Sequence, residues 1–376
     1  MLEFLPQILL ICIGPAILMW ALKDRKIGKV LSPVVMAYAV GIASVTFGLM
    51  PLNPIISKYF SELSIMLAIP LLLFSADILG WFRHARSTVL SFVFAIISAA
   101  LSCIIAAYLF RDKIDLIWDY AAMLTGVYTG GTANMQAVGI AIGADEDSFA
   151  LINSVEIVCG GIYLLFLTSF APLLFGKVLP AYESDGNTSE IDDDPVEIKK
   201  DWKSMVQATL LAIVILGVTL GLATALYGGL TNTTFIILSL TTLSVIASFS
   251  TKIRALRGSF EVGDYLLLMF CVAVGMRSDF GNIVEQGGVL LAFTALSWLL
   301  AIGFHLILSI IFRIDRDTTL ITSTAALYGP AFIGQIASVL KNRDVVFAGI
   351  ATGLVGYAIG NYLGISMHYL LEKWLA

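Results

Sequence analysis

Tyr128-Thr-Gly-Gly-Thr-Ala-Asn-Met-Gln136 interrupts a stretch that is otherwise apolar for the length of a membrane span. A second stretch is interrupted in a similar way at Tyr328-Gly-Pro-Ala-Phe-Ile-Gly-Gln335. Glycine, proline and amide side chains halfway along a span break the helix and leave backbone groups unpaired. Hydrocarbon tolerates that only where the break lines protein or a watery cavity. Two such breaks at matching places in two halves point to a transporter binding site near the bilayer midplane.

Around these breaks the chain is apolar throughout. Its 376 residues are 59% hydrophobic and 13% charged, against roughly 45–50% and 25% in soluble domains. Apolar runs of about the ~20 residues that cross a bilayer recur along its length. Twelve can be drawn, at roughly 3–22, 31–50, 61–82, 87–110, 116–142, 148–177, 204–227, 232–251, 261–280, 287–312, 318–340 and 344–370. The predicted fold is therefore an all-α polytopic membrane protein of about twelve transmembrane segments. No basic segment precedes the first run and no small-residue cleavage pattern follows it, so it reads as a retained helix. Cys12, Cys103, Cys159 and Cys271 lie singly in apolar spans and read as small buried hydrophobes. His84, His305 and His368 are scattered, which argues against zinc. The sequence shows no phosphate-binding loop, dinucleotide fingerprint, hydrolytic triad or nucleic-acid-binding pattern, so neither an enzyme nor an ATP-driven pump is expected.

The halves resemble each other. A shift of 199 positions pairs Thr125 with Thr324, Gly130 with Gly329, Gln136 with Gln335, Gly161 with Gly360, and Tyr163 with Tyr362. Residues 70–77, ending in Asp77, echo residues 272–279, ending in Asp279. The expected division is a first repeat over 1–180, an acidic polar linker over 181–203 and a second repeat over 204–376. Basic loops follow the first run (Lys23, Arg25, Lys26, Lys29) and the third (Arg83, Arg86), which puts them in the cytoplasm and the amino terminus outside. In the second half the basic clusters are Lys252, Arg254 and Arg257, then Arg313 and Arg316. Alternation through twelve crossings puts those outside. Cytoplasmic placement needs an inverted second half, with an odd number of crossings between equivalent helices, and hence one run that does not cross.

Within the first break, Thr132, Asn134 and Gln136 offer neutral oxygens beside Gly130 and Gly131, whose missing side chains let a ligand approach the backbone. Hard oxygen ligands with little fixed charge suit a desolvated sodium ion. Close helix packing by small residues explains the glycines equally well, but not the two amides. The next run carries Asn153 and Glu156 three residues apart, on one helix face. An ionisable group at that depth marks an ion or proton pathway unless it pairs structurally. The second break supplies Tyr328, Gly329, Pro330, Gln335 and Ser338 as candidate solute or ion contacts. Arg277 could meet an anion, or snorkel at the interface.

The run Gly130-Gly-Thr-Ala-Asn134 resembles an element of the bile acid:sodium symporter family, found there on the first of two crossing discontinuous helices. That family's second crossing helix has a glutamate, then a glutamine four residues on; here Gln335 matches the glutamine, but the glutamate position is Ala331. Over essentially its full length the chain is most similar to the YjcL-like uncharacterised membrane proteins of the wider cation:proton antiporter-type superfamily. The resemblance implies two inverted repeats forming panel and core domains, two crossed discontinuous helices, an elevator mechanism, a homodimer and a bacterial inner (cell) membrane. The expected function is sodium-coupled secondary transport of a small organic solute, with an anion as one option. Sodium is placed at Thr132, Asn134 and Gln335. The rivals are a cation:proton antiporter working through Glu156, and a receptor or channel-like module that transports nothing.

Overall fold

A computed structural model describes residues 2–22, 33–76, 86–183, 201–230, 232–277, 280–342 and 344–375. Among them there is helix and no strand. Most of the linker, together with Asp77, Asp279 and the first basic loop, lies outside the described residues. The main helices are α1 (Leu5–Leu22), α2 (Pro33–Thr46), α3 (Pro54–Leu73), α4 (Arg86–Phe110), α5 (Ile117–Gly130), α6 (Thr132–Ile142) and α7 (Glu146–Ser169). A short α8 (Ala171–Phe175) follows, then α9 (Trp202–Tyr227), α10 (Thr233–Ser248), a turn of helix α11 (Thr251–Arg254), α12 (Ser259–Gly275) and α13 (Phe280–Ile311). The chain ends in α14 (Arg316–Tyr328), α15 (Ile333–Leu340) and α16 (Asp344–Leu375). Six stretches are long and apolar enough to cross a membrane: α3, α4, Leu151–Ser169 of α7, α9, Gly287–Ile311 of α13, and α16.

Two of the twelve runs do something other than cross. Across the first break the chain turns back, and α6 returns along α5. A β-carbon on Gly126 would meet Val138 Cγ2 at 3.1 Å, and one on Gly139 would meet Met123 Sδ at 3.1 Å. Such pairs, 12 and 16 residues apart, cannot touch in a helix that rises 1.5 Å per residue and merely kinks. Across the second break the Asn342 amide donates to Asp317 Oδ2 at 2.8 Å, joining the end of one arm to the start of the other. The runs 116–142 and 318–340 are thus helical hairpins, which corrects the expectation of broken spans that pass straight through. Their arms are 14 and 11 residues in the first, 13 and 8 in the second. At 1.5 Å per residue the longer arms reach about 20 Å, some two-thirds of a bilayer core.

Helices α3 and α12 pack antiparallel, as do α4 and α13. Ser57 on α3 contacts Met276 just after α12, while Ser75 after α3 bonds Ser259 at the opposite end of α12. Phe94 of α4 lies tilted against Phe312, and Phe110 edge-on to Phe293 of α13. The helices also sort into two packed groups: α1–α3 with α9, α10 and α12, and α4–α7 with α13–α16. Contacts between the groups concentrate where α6 and α16 meet α3 and α10.

Candidate functional site

The hairpin turns decide the site. Gly131 has φ 82°, ψ −172° and Gly329 has φ 71°, ψ −166°, a region essentially closed to L side chains. The equivalent glycines are therefore 198 positions apart, so Gly329 matches Gly131 and not Gly130. The two turns touch: a β-carbon on Gly131 would lie 3.0 Å from the Tyr328 carbonyl carbon and 3.1 Å from Gly329 N. Gly130, Gly131, Gly329 and Pro330 are all buried at this contact, and Tyr328 is half-buried.

Helix α16 holds both turns through its glycines. Gly353 faces Pro330, with 2.7 Å from its would-be β-carbon to the Pro330 nitrogen. Gly356 abuts the Thr129 carbonyl, and Gly360 sits 2.6 Å from the Asn134 amide nitrogen by the same measure. Small residues at these positions let backbones approach where lipid supplies no hydrophobic drive between helices.

The amides of α6 go two ways, because residues two apart on a helix face different neighbours. Asn134 donates to Tyr357 O at 2.9 Å and to Asn361 Oδ1 at 3.0 Å on α16; Asn361 in turn donates to Thr241 Oγ1 of α10 at 2.9 Å. Gln136 donates to Tyr38 OH of α2 at 2.7 Å and to Asn153 Oδ1 of α7 at 2.6 Å. Tyr38 OH donates to Asn153 Oδ1 at 3.0 Å, and the Asn153 amide donates to Phe149 O at 2.7 Å. The expected single cluster of Thr132, Asn134 and Gln136 therefore divides. Thr132, half-buried, opens α6 beside the turn. In both clusters an acceptor is left over: Asn134 Oδ1 and Gln136 Oε1 are buried with no hydrogen-bond partner among the described residues. A buried orphan acceptor costs about 1–3 kcal/mol.

On the same face of α7 as Asn153, Glu156 is 7% exposed. Among the described residues neither a cation nor a hydrogen-bond donor meets its carboxylate. Aromatic rings surround the adjoining turn of α7. Tyr328 OH donates to Gly160 O at 2.6 Å, Tyr163 and Ser323 hydroxyls are 2.8 Å apart, and the Trp298 ring lies tilted or edge-on to Tyr163, Tyr128 and Tyr328, with centroids 4.9–5.9 Å away. Tyr128 OH and Trp298 Nε1 are also buried with no hydrogen-bond partner among the described residues. Gln335 is half-buried on α15; the Ser338 side chain is outside the described set.

Other polar contacts fix the bases of the hairpins. Asp119 Oδ1 approaches His368 Nδ1 at 2.8 Å, where α5 begins and α16 ends. Asp315 caps α14 by accepting from Thr318 N–H at 2.8 Å, and Arg316 N–H donates to Pro180 O at 2.9 Å. No group of three or more His, Cys, Asp or Glu able to hold a metal occurs among the described residues. Sequence reasoning missed Tyr38, Thr241, Tyr357 and Trp298, whose polar atoms come from otherwise apolar runs with no local signal. It also passed over Asp264, in the second turn of α12, an acidic residue in an apolar helix.

Over 368 residues the chain is 24% identical to "Uncharacterized membrane protein YjcL" of Bacillus subtilis (strain 168), covering 93% of this chain and 92% of that protein. Residues 8–374 match a family described as "Protein of unknown function (DUF819)". With that match spanning nearly all its helices, both hairpins included, the chain belongs to this family of membrane proteins.

Proposed function

We propose that the protein is a secondary active transporter, not an enzyme, that moves a small organic solute through the site where the two hairpin turns meet. The observation behind this reading is the contact of Gly131 with Tyr328 and Gly329, beside buried oxygens that lack partners. Ten helices then cross the membrane: α1–α4, α7, α9, α10, α12, α13 and α16. The hairpins enter from opposite faces. Five crossings per repeat invert the second half, and this places Lys252, Arg254, Arg257, Arg313 and Arg316 on the cytoplasmic side with the first-half basic loops. The amino terminus is outside. The run that fails to cross is the hairpin in each half.

In this reading α1–α3, α9, α10 and α12 form a panel, and the hairpin-bearing group a core that slides against it, as in elevator transporters of the superfamily that includes bile acid:sodium symporters. Homodimerisation through the panel and residence in a cell membrane complete the picture. Sodium is the coupling ion: Asn134 Oδ1 and Gln136 Oε1 are neutral hard oxygens with unused lone pairs. One observation favours a second reading, cation:proton antiport, namely the unpaired buried carboxylate of Glu156.

Thermal stability of the purified protein should rise with sodium and lose that response in Asn134→Ala or Gln136→Ala. A response insensitive to sodium, tracking pH and abolished in Glu156→Gln, would favour the proton as the coupling ion instead. Proteoliposomes should accumulate a solute hit from a thermal-shift screen when a sodium gradient is imposed. Absence of accumulation for every hit under sodium and proton gradients alike would sink transport altogether.

A further inference from the structure

Glu156, Gly160 and Tyr163 follow one another along a single face of α7, about a turn apart, with the glycine between the carboxylate and the ring. Gly160 leaves a space there. A β-carbon built on it would meet Glu156 Oε1 at 3.4 Å, Trp298 Cζ2 at 3.6 Å and Tyr328 Cε1 at 3.7 Å, so a methyl-sized group fits without collision. The walls come from three helices: α7, α13 and the last residue of α14. Tyr163 and Tyr328 lie within 9° of parallel with ring centroids 6.2 Å apart, and Trp298 is tilted 53° and 44° to them. Tyr328 directly precedes the Gly329 turn of hairpin 2 (residues 318–340), which touches Gly131 in hairpin 1 (residues 116–142). The space thus adjoins the place where the two turns meet.

We infer that this space takes the positively charged head of the solute, an ammonium or N-methylated ammonium group, with Glu156 as counter-charge and Trp298 and Tyr328 as aromatic walls. The inference rests on the transport reading for calling the occupant a solute, and it narrows that solute to organic cations. Glu156 is a buried carboxylate that neither a cation nor a hydrogen-bond donor meets among the described residues. A charge left unpaired at such depth is expensive, and a cationic solute supplies the missing partner. Tryptophan and tyrosine rings attract a cation held within ~6 Å of their centroids, most strongly where water is excluded. An N-methylated head suits both kinds of wall: its charge answers the carboxylate and its carbon surface lies against the rings.

Other occupants fit less well. A sodium ion needs a shell of hard oxygens, and at this point one carboxylate faces two carbon rings. A water molecule needs two to four polar partners. The Tyr328 hydroxyl is not free to be one, because it donates to Gly160 O at 2.6 Å. An anionic solute, the option left open by the sequence, would meet the carboxylate head-on. The free oxygens of Asn134 and Gln136 belong to other residues, so a coupling ion held there does not compete with the solute head for Glu156.

Thermal shift of the purified protein, at fixed sodium and ionic strength, tests the assignment. Methylammonium or choline should raise the melting temperature saturably, and the uncharged carbon isostere of choline should not. Glu156→Gln should abolish the response. Trp298→Leu should weaken the apparent affinity roughly tenfold, as loss of one desolvated cation–ring contact requires, and Trp298→Phe should recover part of it. Gly160→Ala fills the space through ordinary contacts, so that variant should stay as stable as the native protein and respond to neither probe. It carries the test if Glu156→Gln does not fold. No shift with either ammonium probe, an equal shift with the isostere, or an undiminished response in Gly160→Ala overturns the cation site. A protein that responds as expected yet accumulates no solute under sodium or proton gradients retains the site and loses the transport reading. Accumulation of a solute by a protein that ignores both ammonium probes keeps transport and overturns the site.

Discussion

The two hairpins turn on the same glycine geometry and are held in place by different means. Hairpin 1 is fastened by main chain: Gly356 abuts the Thr129 carbonyl, Gly364 comes within 3.0 Å of Ala122 O by its would-be β-carbon, and α5 is buried over nearly its whole length. Hairpin 2 meets α16 at its turn, through Gly353 and Pro330, and along both arms, where Gly349 packs on Ile321 and Ile333, and it also reaches α7 by side chains, Tyr328 to Gly160 and Ser323 to Tyr163. A contact between backbones has no rotatable part, so it is kept whole or lost whole. A contact through rings and hydroxyls can be loosened one group at a time. The same turn thus sits in a frame richer in backbone contacts in one half and in ring and hydroxyl contacts to α7 in the other.

The sharpest way to break this comparison is to ask on which side each hairpin begins and ends. In intact cells, cysteines replacing Asp112 and Asp145, which flank hairpin 1 and are exposed, should both label with a membrane-impermeant maleimide from outside. Cysteines replacing Arg313 and Lys341, exposed at the two ends of hairpin 2, should both label only from the cytoplasmic side of inverted vesicles. The effect is all or none. If either pair splits between sides, that segment crosses and the hairpin assignment falls.

Next in size is the contrast between two glycines. Gly356→Ala drives a methyl group into the Thr129 carbonyl of hairpin 1. Overpacking of that kind costs about 1–3 kcal/mol, so the melting temperature in detergent should drop. Gly160→Ala, on the helix behind hairpin 2, places its methyl 3.4 Å from Glu156 Oε1, an ordinary contact. There the gain in helix propensity, about 0.5–1 kcal/mol, should leave stability unchanged or raised. If both variants lose stability equally, the two hairpins are held alike.

How much of this could be read in the sequence follows from the distance over which each signal acts. Gly131 and Gly329 announce their breaks locally, because a main-chain conformation barred to other residues leaves glycine as its trace. The basic loops announced that twelve alternating crossings could not be right and that one run was miscounted, since charge sidedness depends only on the residues near each helix end. Whether a broken run passes on or turns back is settled by contacts 12–16 residues apart, such as Gly126 with Val138 and Met123 with Gly139, and small apolar residues look the same in either geometry. The pairing of Asn134 with Asn361 and of Gln136 with Tyr38 spans 227 and 98 residues and had no local sign. Glu156 was legible for the opposite reason: a carboxylate in mid-helix is conspicuous whatever surrounds it.

The smallest expected effect lies at the bases of the hairpins. The arms of hairpin 1 touch along their length, and its base tie, Tyr120 OH to Ser148 Oγ at 2.8 Å, runs to α7 and not between arms. Tyr120→Phe should therefore cost only about 0.5 kcal/mol, the lower end for one exchanged hydrogen bond. In hairpin 2 the Asn342 amide joins arm to arm through Asp317, a buried carboxylate that Arg316 also contacts at 2.6 Å. Asn342→Ala leaves Asp317 its arginine, so no charge is stranded, and the cost should stay near 1 kcal/mol. That energy belongs to local opening of α15 more than to global unfolding. Amide hydrogens of residues 333–340 should then exchange about fivefold faster, with those of 132–142 unchanged. Equal acceleration in both segments would mean that the hairpins open together.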